Sequence, residues 1–142
     1  MIVLDTNVLS ALMRSTPEPK VIEWLDNQPR SSVWTTAISV LEIRFGLQTM
    51  SLGKKRATLI KAFERLLSEK IERRIAPFDV LAAQEAANLM AMRKEAGHPG
   101  DLRDTMIAGI VVAARATLAT HNSGHFSDLP VPVVDPWQSS GK

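Results

Sequence analysis

Four side chains with oxygen donors stand out as candidates for chemistry. They are Asp5, Glu42, Asp104 and Asn122. Several carboxylates that share a partly dry crevice repel one another and take up protons unless a cation lies between them. Such hard oxygen ligands suit Mg²⁺ or Mn²⁺ and do not suit zinc. If the fold gathers these groups, the expected chemistry is metal-assisted hydrolysis of a phosphodiester, which requires no side-chain nucleophile.

The first ten residues indicate how one of these acids is positioned. Residues 2–4 form an apolar run rich in β-branched side chains, which predicts a strand buried on both faces of a parallel sheet. Helical spacing of apolar residues begins at about Asn7. Asp5 therefore lies where a central strand ends, and ligands of open α/β sheets bind at that edge. An ionised carboxylate near a core is costly unless it is paired or bound to a cation.

The rest of the chain alternates between predicted strands and helices, which indicates a parallel sheet in a three-layer α/β/α sandwich. Helices are predicted over 7–13, 19–28, 37–48, 54–74, 79–97 and 101–115, and strands over 32–36, 117–120 and 131–134. Residues 75–78 are predicted to form a short extended crossing. Pro19, Thr36 or Ser39, and Asp79 are suited to begin three of these helices. Pro132 restricts the last strand to an edge of the sheet. Residues 121–127 are predicted to form a loop.

Composition narrows the class of protein. The 142 residues predict one domain, 1–135, followed by a C-terminal tail, 136–142. The absence of cysteine excludes disulfides, thiolate zinc sites and a cysteine nucleophile. No signal peptide is recognisable, and the longest apolar run, 106–114, is shorter than the roughly 20 residues that cross a bilayer. We therefore expect a cytoplasmic protein without membrane contact. A formal charge of +2 is compatible with nucleic-acid binding without indicating it.

Periodicity predicts that Glu42 and Asp104 face inward. Glu42 has Ile38 four residues before it, and Asp104 has Ile107 three residues after it, so each acid shares a helix face with apolar residues. Together with Asp5 and Asn122, the two acids are predicted at one edge of the sheet, because parallel topology brings strand ends and the following helix starts together.

Each acid also has a simpler explanation. Asp5 could cap the helix that follows it. Glu42 could be a surface residue paired with an arginine such as Arg44. Asp104 could be a first-turn acid that the helix dipole favours, and Asp101 is best explained as a cap.

Other conspicuous residues have structural explanations as well. The basic residues 54–56 fit a solvated helix start. Trp24, Trp34, Met90 and Met92 are predicted to lie in the core. The three histidines show no zinc-ligand spacing.

Four sequence blocks, in order along nearly the whole chain, resemble the PIN-domain family, and more closely VapC-type toxins including the FitB branch. The blocks are VLDTNVLS, ISVLEIRFG, LRDTMIAG and LATHNSGHF, and the closing VVDPW is also similar to FitB proteins. The resemblance implies a PIN-like α/β/α sandwich and an Mg²⁺- or Mn²⁺-dependent endoribonuclease. Asp5, Glu42 and Asp104 match the acidic metal-binding positions, and Thr6 and Asn7 match the supporting polar pair.

The resemblance also implies partners. Family members usually form homodimers, act on RNA and are neutralised by a small VapB-like antitoxin that binds operator DNA. Contact with operator DNA is therefore expected only through the antitoxin. A membrane partner is not expected.

One departure from the family pattern leaves alternatives open. The FitB branch carries an acid where this chain has Asn122, and other members carry one where this chain has His125. An asparagine offers only a carbonyl oxygen, so we expect one well-held ion and a weak second site, with partial compensation by Asp101. A weakly catalytic RNA-binding module, or an antitoxin-controlled DNA-binding regulatory module, is the alternative. A phosphatase with Asp5 as covalent nucleophile ranks lower, because DTN lacks a second aspartate two residues on.

Overall fold

A computed structural model describes residues 1–138. Its strands are β1 (Ile2–Leu4), β2 (Val33–Thr36), β3 (Ile75–Ala76), β4 (Thr117–Ala119) and β5 (Val133–Val134). Its α-helices are α1 (Thr6–Met13), α2 (Pro19–Asp26), α3 (Ala37–Gln48), α4 (Lys54–Arg65), α5 (Val80–Glu95) and α6 (Leu102–Ala114). All strand pairs are parallel, in the order β3-β2-β1-β4-β5. The predicted parallel sheet is confirmed, with the last strand at an edge.

The central strand divides the hydrophobic core into two layers. Val3 and Leu4 are both fully buried, and adjacent residues of a strand point to opposite faces. Leu4 belongs to a cluster with Phe63 of the α4 layer, whereas Val3 belongs to a cluster with Ile107 of the α6 layer. Helices therefore cover both faces of the sheet, which gives the predicted α/β/α sandwich.

Short polar side chains begin three helices. The hydroxyl of Thr36 accepts a hydrogen bond from the Ser39 amide at 3.0 Å, and the carboxylate of Asp79 accepts one from the Ala82 amide at 3.0 Å. The carboxylate of Asp101 accepts one from the Asp104 amide at 3.1 Å. These caps were predictable because Ser, Thr, Asp and Asn side chains accept hydrogen bonds from first-turn N–H groups that have no partner within the helix.

The helix predicted over 54–74 is wrong in its second half. Helix α4 ends at Arg65, a π-helical turn follows over Leu66–Lys70, and Glu72 and Arg73 adopt left-handed backbone conformations with φ of 52° and 61°. This reversal brings the chain into β3, where Ile75 pairs with Thr35. The apolar stripe nevertheless faces the core, because Phe63, Leu67 and Ile71 are buried.

The prediction that Met90 and Met92 lie in the core is also wrong, since each is 47% exposed. Helix α5 instead contacts α6 through small residues. A Cβ atom added at Gly109 would lie 2.5 Å from the carbonyl oxygen of Ala82. The two helices therefore approach closely at this point, and Met90 and Met92 lie on the part of α5 that faces away from the core. Trp24 and Trp34 are partly buried against the two core clusters.

The C-terminal part of the described chain is packed. The loop predicted over 121–127 contains a 3₁₀ turn, Ser123–Phe126, with Phe126 buried. Within the predicted tail, Trp137 stacks on His121 with ring centroids 4.1 Å apart. Residue 137 is therefore not loose, and the remaining tail residues, 139–142, lie outside the described residues. In the described part of the chain, no helix is long and apolar enough to cross a membrane.

Candidate active site

The strand order reverses between β1 and β4. From β1 the chain proceeds to β2 and β3 on one side, whereas β4 and β5 lie on the other. The carboxyl edge at such a reversal is where open α/β sheets bind ligands. Asp5 follows β1 and Thr120 follows β4, so both lie at this point.

Asp5 is the most buried acid of the site, with 3% of its surface exposed. One carboxylate oxygen accepts a hydrogen bond from the Thr6 amide at 2.8 Å, and the other accepts one from the Thr120 hydroxyl at 2.7 Å. Burial raises the pKa of Asp5 above its usual value, and the charges of Asp104 and Glu42 raise it further. The explanation of Asp5 as a helix cap is correct, but the cap uses only one of its two oxygens.

Glu42 is connected to Asp5 through a single intervening residue. The Thr6 hydroxyl donates to one Glu42 oxygen at 2.6 Å. The Nε atom of Arg103 lies 3.5 Å from the other oxygen. Arg44 is not the partner of Glu42, because it pairs with Glu64 at 2.8 Å. The surface-pair explanation of Glu42 is therefore wrong in its partner, and the Glu42 side chain is only 20% exposed.

Asp104 lies in the first turn of α6, as predicted. Its pKa is raised, first by burial and then by the charge of Asp101. His125 opposes this shift, with Nδ1 3.5 Å from an Asp104 carboxylate oxygen. His125 was not among the candidate site residues, because nothing in its spacing indicated contact with an acid 21 positions earlier in the sequence.

A buried arginine fixes the segment that carries His125. Arg93 is 6% exposed and donates from Nε and Nη2 to the two oxygens of Asp128, at 2.8 and 2.9 Å. It also donates to the Thr105 hydroxyl at 3.0 Å and to the His125 carbonyl at 3.3 Å. The arginine lowers the pKa of Asp128. Arg93 therefore joins α5, the start of α6 and the 3₁₀ turn.

Asn122 lies beside the site, but its side chain makes no hydrogen bond to the described residues. Its backbone amide donates to the Thr120 hydroxyl at 3.0 Å. The preceding residue is fixed through Asn7, whose side-chain oxygen accepts a hydrogen bond from the His121 amide at 3.1 Å. Thr120 is fully buried, and its place at the end of a predicted strand is the signal that could have identified it.

The donor chemistry fits a divalent cation. The acids are oxygen donors. Burial, and then the charges of Asp104 and Glu42, raise the pKa of Asp5, so a positive ion among these acids would lower their electrostatic free energy. Within residues 1–138, however, no three acidic or histidine side chains are grouped closely enough to form a ready-made metal site. Hydrogen bonds connect Asp5, Thr6 and Glu42 into one group. A second group consists of Asp104 and His125. The negative charge of Asp104 acts on Asp5 and so links the two groups electrostatically.

This fold and acidic crevice place the chain in a known family. The family model of the PIN domain matches residues 2–131, and the chain belongs to that family. It is 36% identical to VapC ribonuclease Y4jK of Sinorhizobium fredii, over 97% of this chain and 99% of that protein. It is 34% identical to toxin FitB of Neisseria gonorrhoeae, over 96% of this chain and 99% of that protein.

A solved structure, described as FitAB bound to an IR36 DNA fragment, superposes with a TM-score of 0.88 at 34% identity, covering 99% of this chain and 98% of that one. The resemblance to the PIN-domain family is therefore confirmed.

Proposed function

We propose that the protein is a divalent-metal-dependent endoribonuclease that acts as the toxin of a toxin–antitoxin pair. The observation that carries this proposal is Asp5, a nearly inaccessible carboxylate at the strand-order reversal, whose pKa is raised first by burial and then by the charges of Asp104 and Glu42. A carboxylate in such surroundings is explained by a cation that binds there. The names of the relatives, a VapC ribonuclease and toxin FitB, support the reaction and the biological role.

Asp5, Glu42 and Asp104 would hold Mg²⁺ or Mn²⁺. The ion supplies an activated water and offsets negative charge on the phosphodiester during hydrolysis. The chain itself orients the ligands: the Thr6 hydroxyl fixes one Glu42 oxygen, and the Thr120 hydroxyl fixes one Asp5 oxygen. These contacts aim the carboxylates toward the crevice before RNA arrives.

The covalent phosphatase alternative is disfavoured by the sequence beside Asp5. Such enzymes carry a second aspartate two residues after the nucleophile, and this chain has Asn7 at that position.

The activity is tested by incubating the purified protein with RNA in Mg²⁺ or Mn²⁺, with and without EDTA. We expect cleavage only with metal. Asp5→Asn should reduce it by about 100-fold or more, because even the supporting residues of metal sites contribute about 10–100-fold. Asp26→Asn is the matched control, since Asp26 is an exposed acid at the end of α2. EDTA-resistant cleavage, or an Asp5→Asn protein as active as its parent, would refute the proposal.

The proposed partners are a VapB-like antitoxin and a second copy of the chain. The FitAB–DNA structure supports operator DNA as a partner that is reached through the antitoxin. Co-purification with the product of an adjacent small reading frame, followed by inhibition of RNA cleavage, tests the antitoxin. Sedimentation equilibrium tests the homodimer, which should have twice the 15.6 kDa mass of the chain.

A weakly catalytic RNA-binding module remains the second candidate. Asn122 favours it, because this residue stands where FitB-type relatives are expected to carry an acid. A site with fewer negative charges binds a divalent ion less tightly.

A further inference from the structure

Arg103 is the cation closest to Glu42. It lies next to Asp104 in the first turn of α6, and its Nε atom is 3.5 Å from the Glu42 oxygen that Thr6 does not use. Both oxygens of Glu42 are thus engaged within the chain, one by a hydroxyl and the other by a guanidinium.

The contact of Arg103 with Glu42 is easily exchanged. It is a single contact at 3.5 Å, and the Arg103 side chain is 49% exposed. Arg93 differs from Arg103 in both respects, because it is buried and its two hydrogen bonds to Asp128 measure 2.8 and 2.9 Å. Exposed single ion pairs contribute little to stability, whereas paired hydrogen bonds to a buried guanidinium hold a structure in place. Arg103 forms no second ion pair with the described residues.

A divalent ion that bound this Glu42 oxygen would repel the guanidinium, and a single exposed contact at 3.5 Å offers little free energy against displacement. A displaced Arg103 guanidinium would still be close to Asp104, its neighbour in the first turn of α6. It would therefore be within reach of a phosphate bound at the three acids. Arginine binds phosphate through two parallel N–H groups, a geometry that lysine cannot supply.

We propose that Arg103 is a substrate-binding residue that rests on Glu42 in the metal-free protein and moves to an RNA phosphate when a divalent ion takes its place. This inference rests on the proposed function, since it assigns the phosphate contact of the same site. If the inference is correct, removing the Arg103 guanidinium strengthens metal binding and weakens RNA binding.

The experiment compares Arg103→Gln, Arg103→Lys and the wild-type protein. Mn²⁺ affinity is measured by titration calorimetry without RNA, and KM and kcat are measured on a single-stranded RNA with Mn²⁺. For Arg103→Gln we expect the Kd for Mn²⁺ to fall by about threefold, the change that loss of an exposed ion pair produces. Its KM should rise by about tenfold, the change for loss of a charged hydrogen-bonding group, with kcat within about threefold of wild type.

Two variants sharpen the interpretation. Arg103→Lys should keep the Mn²⁺ affinity of the wild type, because it keeps the competing charge, but it should not restore KM. Arg115→Gln is the matched control at the opposite end of α6, and it should change neither quantity.

An Arg103→Gln protein with wild-type KM overturns the proposal. Unchanged or weaker Mn²⁺ binding also overturns it, because Arg103 would then support Glu42 instead of competing for it. If the wild-type protein binds Mn²⁺ but cleaves no RNA, the proposed nuclease function fails separately. In that case the Kd for the same RNA, measured by fluorescence anisotropy with Mn²⁺, takes the place of KM. Arg103→Gln is then expected to raise the Kd for RNA and to lower the Kd for Mn²⁺.

Discussion

At the scale of single residues, Asp5 is confirmed as a helix cap, whereas its role as a metal ligand stays a prediction. One oxygen caps α1 and the other accepts from Thr120, a residue that is 115 positions away in the sequence. Its residue type and place at a strand end predicted both a cap and a ligand. The hydrogen bond from Thr120 was not predictable, because it depends on the pairing of β1 with β4.

The raised pKa of Asp5 predicts how stability depends on pH. The folded pKa lies above the unfolded value of 3.8, so the folded state binds more protons between the two values. Stability should therefore fall as pH rises through that window and remain lower at neutral pH. Asp5→Asn should lose this part of the pH dependence, which thermal melts from pH 4 to pH 7 will show. Added Mn²⁺ should raise the Tm of the wild type more than that of the variant. Melting curves of both proteins with the same pH slope and the same metal effect would contradict this assignment.

Asn122 provides a second test at residue scale. Asn122→Asp adds a negative charge beside the site at an exposed position, so we expect little loss of folding stability. If the second metal position is weak for lack of charge, Mn²⁺ affinity and RNA turnover should rise by about tenfold. Ser127→Asp, at an exposed position five residues later, is the control. If neither quantity changes, the reason for proposing a weakly catalytic module disappears.

At the scale of elements, the reversal after α4 shows where local pattern fails. Helical periodicity continues to Ile71, and its apolar stripe is indeed buried. The helix ends earlier because β3 must pair with β2, and the side chain of Arg74 donates to the Val33 carbonyl at 2.8 Å beside that pair. Strand pairing across 40 residues thus determines where this helix ends.

The contact between α5 and α6 gives a prediction for Gly109. A methyl group there would lie 2.5 Å from the Ala82 carbonyl oxygen and 2.8 Å from the Ala86 Cβ. Gly109→Ala should therefore destabilise the protein by about 1–3 kcal/mol, the usual cost of overpacking, measured by urea unfolding. Gly46→Ala is the control, because nothing lies within 4 Å of its added Cβ and alanine favours a helix. Equal stability of the two variants would show that α5 and α6 can move apart freely.

At the scale of the whole molecule, two core layers share one sheet. Leu67 lies in the layer with Leu4, and Ile107 lies in the layer with Val3. Both layers contact the same central strand, so we propose that residues 1–135 unfold as one domain. Leu67→Ala and Ile107→Ala should each lower the free energy of unfolding by about 2–5 kcal/mol and shift one shared transition to lower urea concentration.

Circular dichroism and tryptophan fluorescence should report coincident urea curves for both variants at one protein concentration. Curves that separate for either variant would show that the two layers unfold independently.

The sequence by itself determined the local features: the buried first strand, the alternation of strands and helices, the capping residues, and the three acids Asp5, Glu42 and Asp104. Each of these features depends on a residue type or on the spacing of apolar residues over a few positions, and both act through contacts between residues that are near one another in the sequence. Only the tertiary structure decided that Glu42 pairs with Arg103, that His125 faces Asp104 and that Arg93 is buried against Asp128. These contacts join residues 21 to 61 positions apart, and no local pattern specifies which distant side chains the sheet brings together.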